Sequence, residues 1–168
     1  MTWRDEIVSA LAATDIDVVA YLPDTPLGPL LDRLEETDVR IVPVAREEEA
    51  VGVLSGAWLA GERGALLCQS SGLATAINGL ASLAVPAGIP FVAFVTRRGG
   101  PGEFNRAQVP FGYAMEDVLD AIGIRTASLS HPGDVERYAE LAAESAFATD
   151  SPYVLILEPT LTGVKDEF

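Results

Sequence analysis

Apolar positions along the chain switch repeatedly between two spacings. Six short runs read as strands: Asp17-Val18-Val19-Ala20-Tyr21, Val39-Arg40-Ile41-Val42-Pro43, Ala65-Leu66-Leu67-Cys68, Phe91-Val92-Ala93-Phe94-Val95, Arg125-Thr126-Ala127 and Tyr153-Val154-Leu155-Ile156-Leu157. Between them the spacing is helical. Residues 2–13 place Ile7, Leu11 and Ala12 along one side, and Pro26 to Glu35 has a proline near its first turn. Ser71 is placed to cap a helix running to about Leu83, and Met115 to Ile122 and Val135 to Phe147 complete the set. Strand–helix alternation implies a parallel sheet with helices on both faces. The expectation is a single α/β domain over residues 1–168, with a six-stranded, mostly parallel sheet. Lys165-Asp166-Glu167-Phe168 reads as a solvated tail.

The helix after the second strand opens with three glutamates in Ala45-Arg46-Glu47-Glu48-Glu49-Ala50-Val51. At about 100° per residue, Glu47 falls on the face of Ala50, Val51, Leu54 and Trp58, whereas Glu48 and Glu49 point elsewhere. One carboxylate therefore heads an apolar stripe that should face the core. Two readings stay open: a first-turn glutamate stabilised by the helix dipole, or a buried carboxyl that handles a proton for a partner. Gly52, Gly56 and Ala60 form a row of small residues on another side, so the helix is expected to be covered all round by core or by a subunit interface.

Composition narrows the function classes. Net charge is −14, which disfavours nucleic acid and anionic membranes as partners. A single Cys68 excludes an internal disulfide, and no metal-ligand cluster stands out. His131 lies in a Ser-His-Pro-Gly loop with no nucleophile elbow elsewhere. Residues 64–96 carry no charge, yet polar residues and prolines interrupt them, so they read as the buried centre and not as a membrane span. With no signal peptide at the start, the expected location is the cytoplasm.

Candidate chemistry gathers in the loops leaving the strands. Pro23-Asp24-Thr25, Ala45-Arg46-Glu47, Gln69-Ser70-Ser71-Gly72 and the stretch from Arg97 to Gly112 should emerge at the carboxyl edge of the sheet, where open α/β sheets bind ligands. Arg97 to Gly112 reads as a long irregular segment, and it supplies Arg97, Arg98 and Arg106. Carboxylates, hydroxyls, amides and arginines together suit an anionic small molecule. No Gly-rich dinucleotide or Walker motif is present.

Three stretches in order, with a turn before them, resemble thiamine-diphosphate-dependent decarboxylases over about residues 3 to 160. Arg46-Glu47-Glu48-Glu49-Ala50-Val51-Gly52 with Gly56-Ala57-Trp58 is similar to their glutamate helix. Gln69-Ser70-Ser71-Gly72-Leu73 with Asn78-Gly79-Leu80-Ala81-Ser82-Leu83 resembles the Gln-Asn-Ser-Gly-Leu segment of sulfopyruvate and phosphonopyruvate decarboxylases. Arg98-Gly99-Gly100-Pro101-Gly102-Glu103-Phe104-Asn105, with Gln108-Val109-Pro110, resembles their next loop, and Pro23-Asp24-Thr25 resembles the turn after the first strand.

The resemblance implies a pyrimidine-binding domain of the thiamine-diphosphate fold. Its glutamate would hydrogen-bond the aminopyrimidine and promote loss of the thiazolium proton, so that the cofactor carbon attacks a 2-oxo acid and carbon dioxide leaves. Aligning Gly56 with the family glycine gives that role to Glu47, with Glu48 the neighbouring alternative. Pro23, Asp24, Gln69, Ser70, Ser71 and Gly72 would join Glu47 at the cofactor. Arg98, Glu103, Asn105, Arg106 and Gln108 would meet a small anionic 2-oxo acid.

Three positions depart from the pattern: Ser70 stands where relatives often have Asn, Trp58 is one residue late, and Phe104 follows Glu103 where phosphonopyruvate decarboxylases often carry His. The Gly-Asp-Gly motif that holds magnesium and diphosphate is absent, and Pro132-Gly133-Asp134-Val135 lacks the second glycine. The resemblance therefore implies an alpha subunit with no metal ligand of its own. A beta subunit would carry the diphosphate and magnesium. Sulfopyruvate is the expected substrate, with phosphonopyruvate or another 2-oxo acid as the alternative. A non-catalytic module that kept the fold is the alternative from another class.

Overall fold

The computed structural model describes residues 2–163, and the expected solvated tail lies outside them. α1 (Trp3–Ala13) precedes β1 (Ile16–Tyr21), α2 (Gly28–Leu34), β2 (Arg40–Pro43), α3 (Glu47–Leu59) and β3 (Arg63–Gln69). α4 (Ser70–Gly79) passes through a π-helical turn at Leu80–Ala84 into the short α5 (Val85–Ala87). β4 (Val92–Thr96), α6 (Val109–Ala121), β5 (Arg125–Leu129), α7 (Val135–Ala148), β6 (Tyr153–Leu157) and α8 (Pro159–Thr162) follow. All six strands pair in parallel, in the order β2-β1-β3-β4-β6-β5.

Two apolar layers flank the sheet, and the strands feed both by alternation. In β3, Ala65 and Leu67 face Ile7 and Leu11 of α1, Leu30 and Leu34 of α2, and Ala139 and Ala143 of α7. Leu66 and Cys68 face Ala50, Val51 and Leu54 of α3, Leu73 and Ala76 of α4, and Met115 and Leu119 of α6. β4 is buried along its whole length, as a strand covered on both faces requires, and β2, at the edge, is not. The chain runs outward from β1 to β2 and then returns to the other side of β1 as β3. Strand order reverses between β1 and β3, and the loops after those two strands meet there.

Several local expectations shift. Ala12 is exposed, and Trp3 and Ala10 complete the buried stripe of α1 instead. α2 begins at Gly28 and not at Pro26, because the Asp24 carbonyl first closes a turn onto the N–H groups of Leu27 and Gly28, each at 3.0 Å. Gln69, not Ser71, is the N-cap of α4. The long segment after β4 is shorter than its composition suggests: a 3₁₀ turn covers Arg106–Gln108 and α6 starts at Val109. Position 112 then lies inside that helix, and it is a glycine because the Arg98 carbonyl passes over it. A Cβ there would sit 1.7 Å from that oxygen. Gly52, Gly56 and Ala60, expected to be covered, are exposed in the chain alone.

Gly112→Ala should lower the unfolding free energy by about 1–3 kcal/mol, the usual cost of overpacking, because the clash is with backbone. Gly133→Ala, where a Cβ meets nothing within 4 Å, should stay within about 0.5 kcal/mol of the parent. Urea unfolding of both variants checks this.

Candidate active site

The three glutamates at the head of α3 do three different things. Glu49 reaches back to the chain before the helix and accepts from Ala45 N at 2.9 Å and Arg46 N at 3.4 Å. Glu48 is exposed and pairs with Arg46 at 3.2 Å. Glu47 turns inward and is only 5% exposed. Its carboxylate abuts the first turn of α4, where a Cβ on Gly72 would fall 1.7 Å from Glu47 Oε1. Gly72 is thus a space requirement of the glutamate. The Thr75 hydroxyl lies 3.3 Å from Glu47 Oε2 and donates to the Gly72 carbonyl at 2.8 Å. One hydroxyl proton cannot serve both fully, and the shorter bond holds it, so the carboxylate keeps most of its accepting capacity.

Around the switch point other acceptors gather. The Gln69 side-chain oxygen is buried and has no partner among the described residues. Asp24, half-buried, accepts from the Thr96 hydroxyl at 2.6 Å, and Thr96 is buried at the last position of β4. Burial pushes the Cys68 thiol far up, and the nearby negative charges of Glu47 and then Asp24 push it further. Pro23 is exposed on the same turn as Asp24.

A cavity of about 500 Å³ opens next to this cluster, between the ends of β4 and β6. Thr96, Arg98, Glu103, Asn105 and Gln108 are among its walls, and Glu47 is not. Two hydroxyls of α4 tie the two regions together. Ser70, fully buried, accepts from Arg98 N at 3.0 Å, and Ser71 donates to the side-chain carbonyl of Gln108.

The arginines of this loop are committed unequally. Arg97 donates to Glu158 at 2.9 Å, to the Gly112 carbonyl at 2.6 Å and to Glu116. It fastens α6 to the end of β6. Arg98 grips Glu103 through Nε at 2.7 Å and Nη2 at 3.1 Å. That pairing, with help from the N–H groups of Asn105 and Gly99, holds the Glu103 carboxyl down at about 2. Arg106 is exposed beside the cavity.

The sequence pattern described as "Thiamine pyrophosphate enzyme, N-terminal TPP binding domain" matches residues 1–107. The chain belongs to that family. It is 31% identical over 159 residues to "Sulfopyruvate decarboxylase subunit alpha" of Methanococcus maripaludis, covering 94% of this chain and 95% of the relative. It is 33% identical to the subunit of the same name in Methanocaldococcus jannaschii, covering 90% of each. A "Phosphonopyruvate decarboxylase" of Streptomyces viridochromogenes is 34% identical over 90% of this chain, which spans only 39% of that longer protein. Among solved structures, a 2-oxoglutarate:ferredoxin oxidoreductase from Magnetococcus marinus superposes with a TM-score of 0.74 at 16% identity, over 96% of this chain and 29% of that one. At that identity the likeness concerns the fold.

Asp24, Ser70, Ser71 and Gly72 each contact Glu47 or the cavity wall, Gln69 caps the helix that carries the last three, and Arg98, Glu103, Asn105 and Gln108 line the cavity, whereas Pro23 and Arg106 are exposed. Thr96 and Thr75 were not singled out. Thr96 carries a signal in hindsight, as a hydroxyl ending an otherwise apolar strand. Thr75 carries only its position one turn after Gly72. Among the described residues no group of acidic, His or Cys side chains is arranged to hold a metal, and no helix is long and apolar enough to cross a membrane.

The Glu103 carboxyl titrates lower in the folded chain than its unfolded value near 4.3. A depressed folded value adds stability that is complete above about 4.3 and is lost as pH falls from there through about 2. Glu103→Gln should therefore cost about 1–3 kcal/mol at pH 7. The gap between parent and variant should shrink to less than about half by pH 3, in urea unfolding followed across pH.

Proposed function

We propose that the chain is the pyrimidine-binding alpha subunit of a two-subunit thiamine-diphosphate-dependent 2-oxo acid decarboxylase, acting on sulfopyruvate to give sulfoacetaldehyde and carbon dioxide. The observation that carries this reading is the Glu47 carboxyl, buried at the head of α3 in the space that Gly72 leaves free. These acceptors fit the cofactor's aminopyrimidine. A carboxyl with spare hydrogen-bonding capacity and the unpartnered Gln69 oxygen both call for a polar ring carrying N–H groups.

In this reading Glu47 holds and exchanges a proton with the ring nitrogen. Pro23, Asp24, Gln69, Ser70, Ser71 and Gly72 form the rest of the pyrimidine cradle. When bound, thiamine diphosphate would supply a carbon nucleophile and an electron sink for the loss of carbon dioxide. Thr96 orients Asp24 through its 2.6 Å hydrogen bond. Arg98, Glu103, Asn105 and Gln108 serve the substrate end from the cavity wall, whereas Arg106, expected there as well, is exposed outside that wall. The whole of residues 1–168 is one such domain, and its setting is the cytoplasm. Phosphonopyruvate is the second substrate candidate, favoured by the similarity to the Streptomyces enzyme named for it.

A partner is part of the proposal. Gly52, Gly56, Leu59 and Ala60 of α3, with Thr75 and Asn78 of α4 and then Ala81, Ser82 and Leu83, form an exposed set of uncharged residues beyond the Glu48 and Glu49 head of α3 on a chain of net charge −14. Thr75, in that set, contacts Glu47. A beta subunit docked there closes over the glutamate and supplies the diphosphate and magnesium ligands that this chain does not offer.

In a reconstituted complex, Glu47→Gln should reduce decarboxylation by about 10²–10⁴-fold, the usual contribution of a general acid–base group. It should also abolish deuterium exchange at the thiazolium carbon while circular dichroism stays unchanged. Parental turnover in this variant would refute the assignment.

The isolated chain should bind thiamine diphosphate only weakly with or without magnesium, because it offers the pyrimidine half of the site alone. Calorimetry on the purified chain reads this, and tight magnesium-dependent binding would remove the need for a partner.

A further inference from the structure

The loop after β4 closes on one of its own carboxylates. Glu103 accepts from Arg98 Nε at 2.7 Å and Nη2 at 3.1 Å, from Asn105 N at 2.8 Å and from Gly99 N at 3.4 Å. Both side chains lie in the cavity wall, Glu103 9% and Arg98 20% exposed. The two limbs of this ring differ in how firmly they are held. The Arg98 limb is fixed: its N–H donates to the buried Ser70 hydroxyl, and a Cβ on Gly99 would lie 2.8 Å from Val109 Cα at the start of α6. Glu103 sits on the outer limb, between Gly102, with φ +86°, and Phe104, 66% exposed.

The other cations at this edge of the sheet are committed or turned away. Arg97 is held by Glu158, Glu116 and the Gly112 carbonyl, and Arg46 by Glu48. Asn105 and Gln108 line the cavity and Arg106 does not. Residues three apart share a face of a 3₁₀ turn, so Arg106 points off that face. The cavity therefore presents Arg98, already carrying a carboxylate in its fork.

We propose that Glu103 is a placeholder: its carboxylate occupies on Arg98 the position taken by the second anionic group of the substrate, which binds by exchanging with it. The proposal rests on the decarboxylase reading and deepens it, because it concerns which 2-oxo acids the site accepts. A sulfonate or phosphonate offers the guanidinium fork two oxygens, as a carboxylate does. Exchange leaves Arg98 paired and releases Glu103, on the outer limb, toward solvent. A 2-oxo acid whose one carboxylate is consumed at the reacting centre has no group to make the exchange. Glu103 is thus a specificity-determining residue that works by competition.

The test is equilibrium binding of 3-sulfopropanoate, which carries a carboxylate and a sulfonate but no 2-oxo group, to the reconstituted complex with thiamine diphosphate and magnesium. Glu103→Gln removes the competing charge and should lower the dissociation constant about five-fold or more. Glu103→Asp, with the charge on a shorter arm, should lower it less. Arg98→Ala should raise it about ten-fold or more, and adding Glu103→Gln to Arg98→Ala should bring no gain. Unchanged or weaker binding by Glu103→Gln overturns the proposal and leaves Glu103 as a staple of the loop. An equal gain in the Arg98→Ala background overturns it as well. Turnover by the parental complex is a separate readout. Failure to decarboxylate any 2-oxo acid ends the functional reading, while the titration still reports on the exchange at Arg98.

Discussion

The Glu47 carboxylate is the constraint around which this fold is arranged. An ionisable group 5% exposed needs compensation, and the chain supplies it with geometry and few direct bonds. The carboxylate stands in the first turn of α3, where the helix dipole favours negative charge. It also abuts the first turn of α4 at Gly72, a second helix start whose N–H groups are unpaired within the helix. Any side chain at position 72 would occupy the carboxylate's own place. The close approach of the two helices continues downward, where a Cβ on Gly79 would meet Val51 at ordinary contact distance, 3.5 Å. α3 and α4 thus lie close together from their amino ends onward, with the one glutamate between them at the top.

From there the arrangement passes along the sheet edge through hydroxyls. Ser70 holds the start of the loop after β4, Ser71 reaches Gln108 before α6, and Thr96 holds Asp24 on the loop after β1. Three loops from three neighbouring strands are thus fixed to one another by short neutral or singly charged contacts. The arginines add a second layer: Arg97 is structural, and Arg98 builds a loop around Glu103. The cluster around Glu47 and the cavity are held in fixed relation by these contacts.

The strands were legible because a parallel sheet covered on both faces writes itself as uninterrupted apolar runs, and the order of strands and helices followed from their alternation. Glu47 was legible because helical phase separated it from Glu48 and Glu49. The start of α6 was not legible. Gly112 reads as a loop residue, whereas its glycine serves the Arg98 carbonyl passing over it, a contact between residues fourteen apart that no local pattern records. The cap of α4 was misplaced for a related reason. Ser71 has the composition of a cap, but its hydroxyl turns to Gln108 and leaves the Ncap position to Gln69. Arg97, Arg98 and Arg106 look alike in sequence. Only the positions of Glu158, Glu116 and Glu103 distinguish a clamp, a ring and an exposed charge.

Under the proposed function, the division of the site between two chains follows from the charges this chain presents. At the switch point it offers acceptors: the Glu47 and Asp24 carboxylates and the orphan Gln69 oxygen. Those groups suit a ring with N–H donors and repel a diphosphate, as does a chain of net charge −14. The arginines near the mouth do not offset this, since Arg97 and Arg98 are already neutralised by carboxylates within a few ångströms. A cofactor that is polar and N–H-bearing at one end and multiply anionic at the other can place only the first end here. The exposed small side chains of α3 and α4 near Thr75, which touches Glu47, would let a partner's backbone come close enough to exclude water from the glutamate.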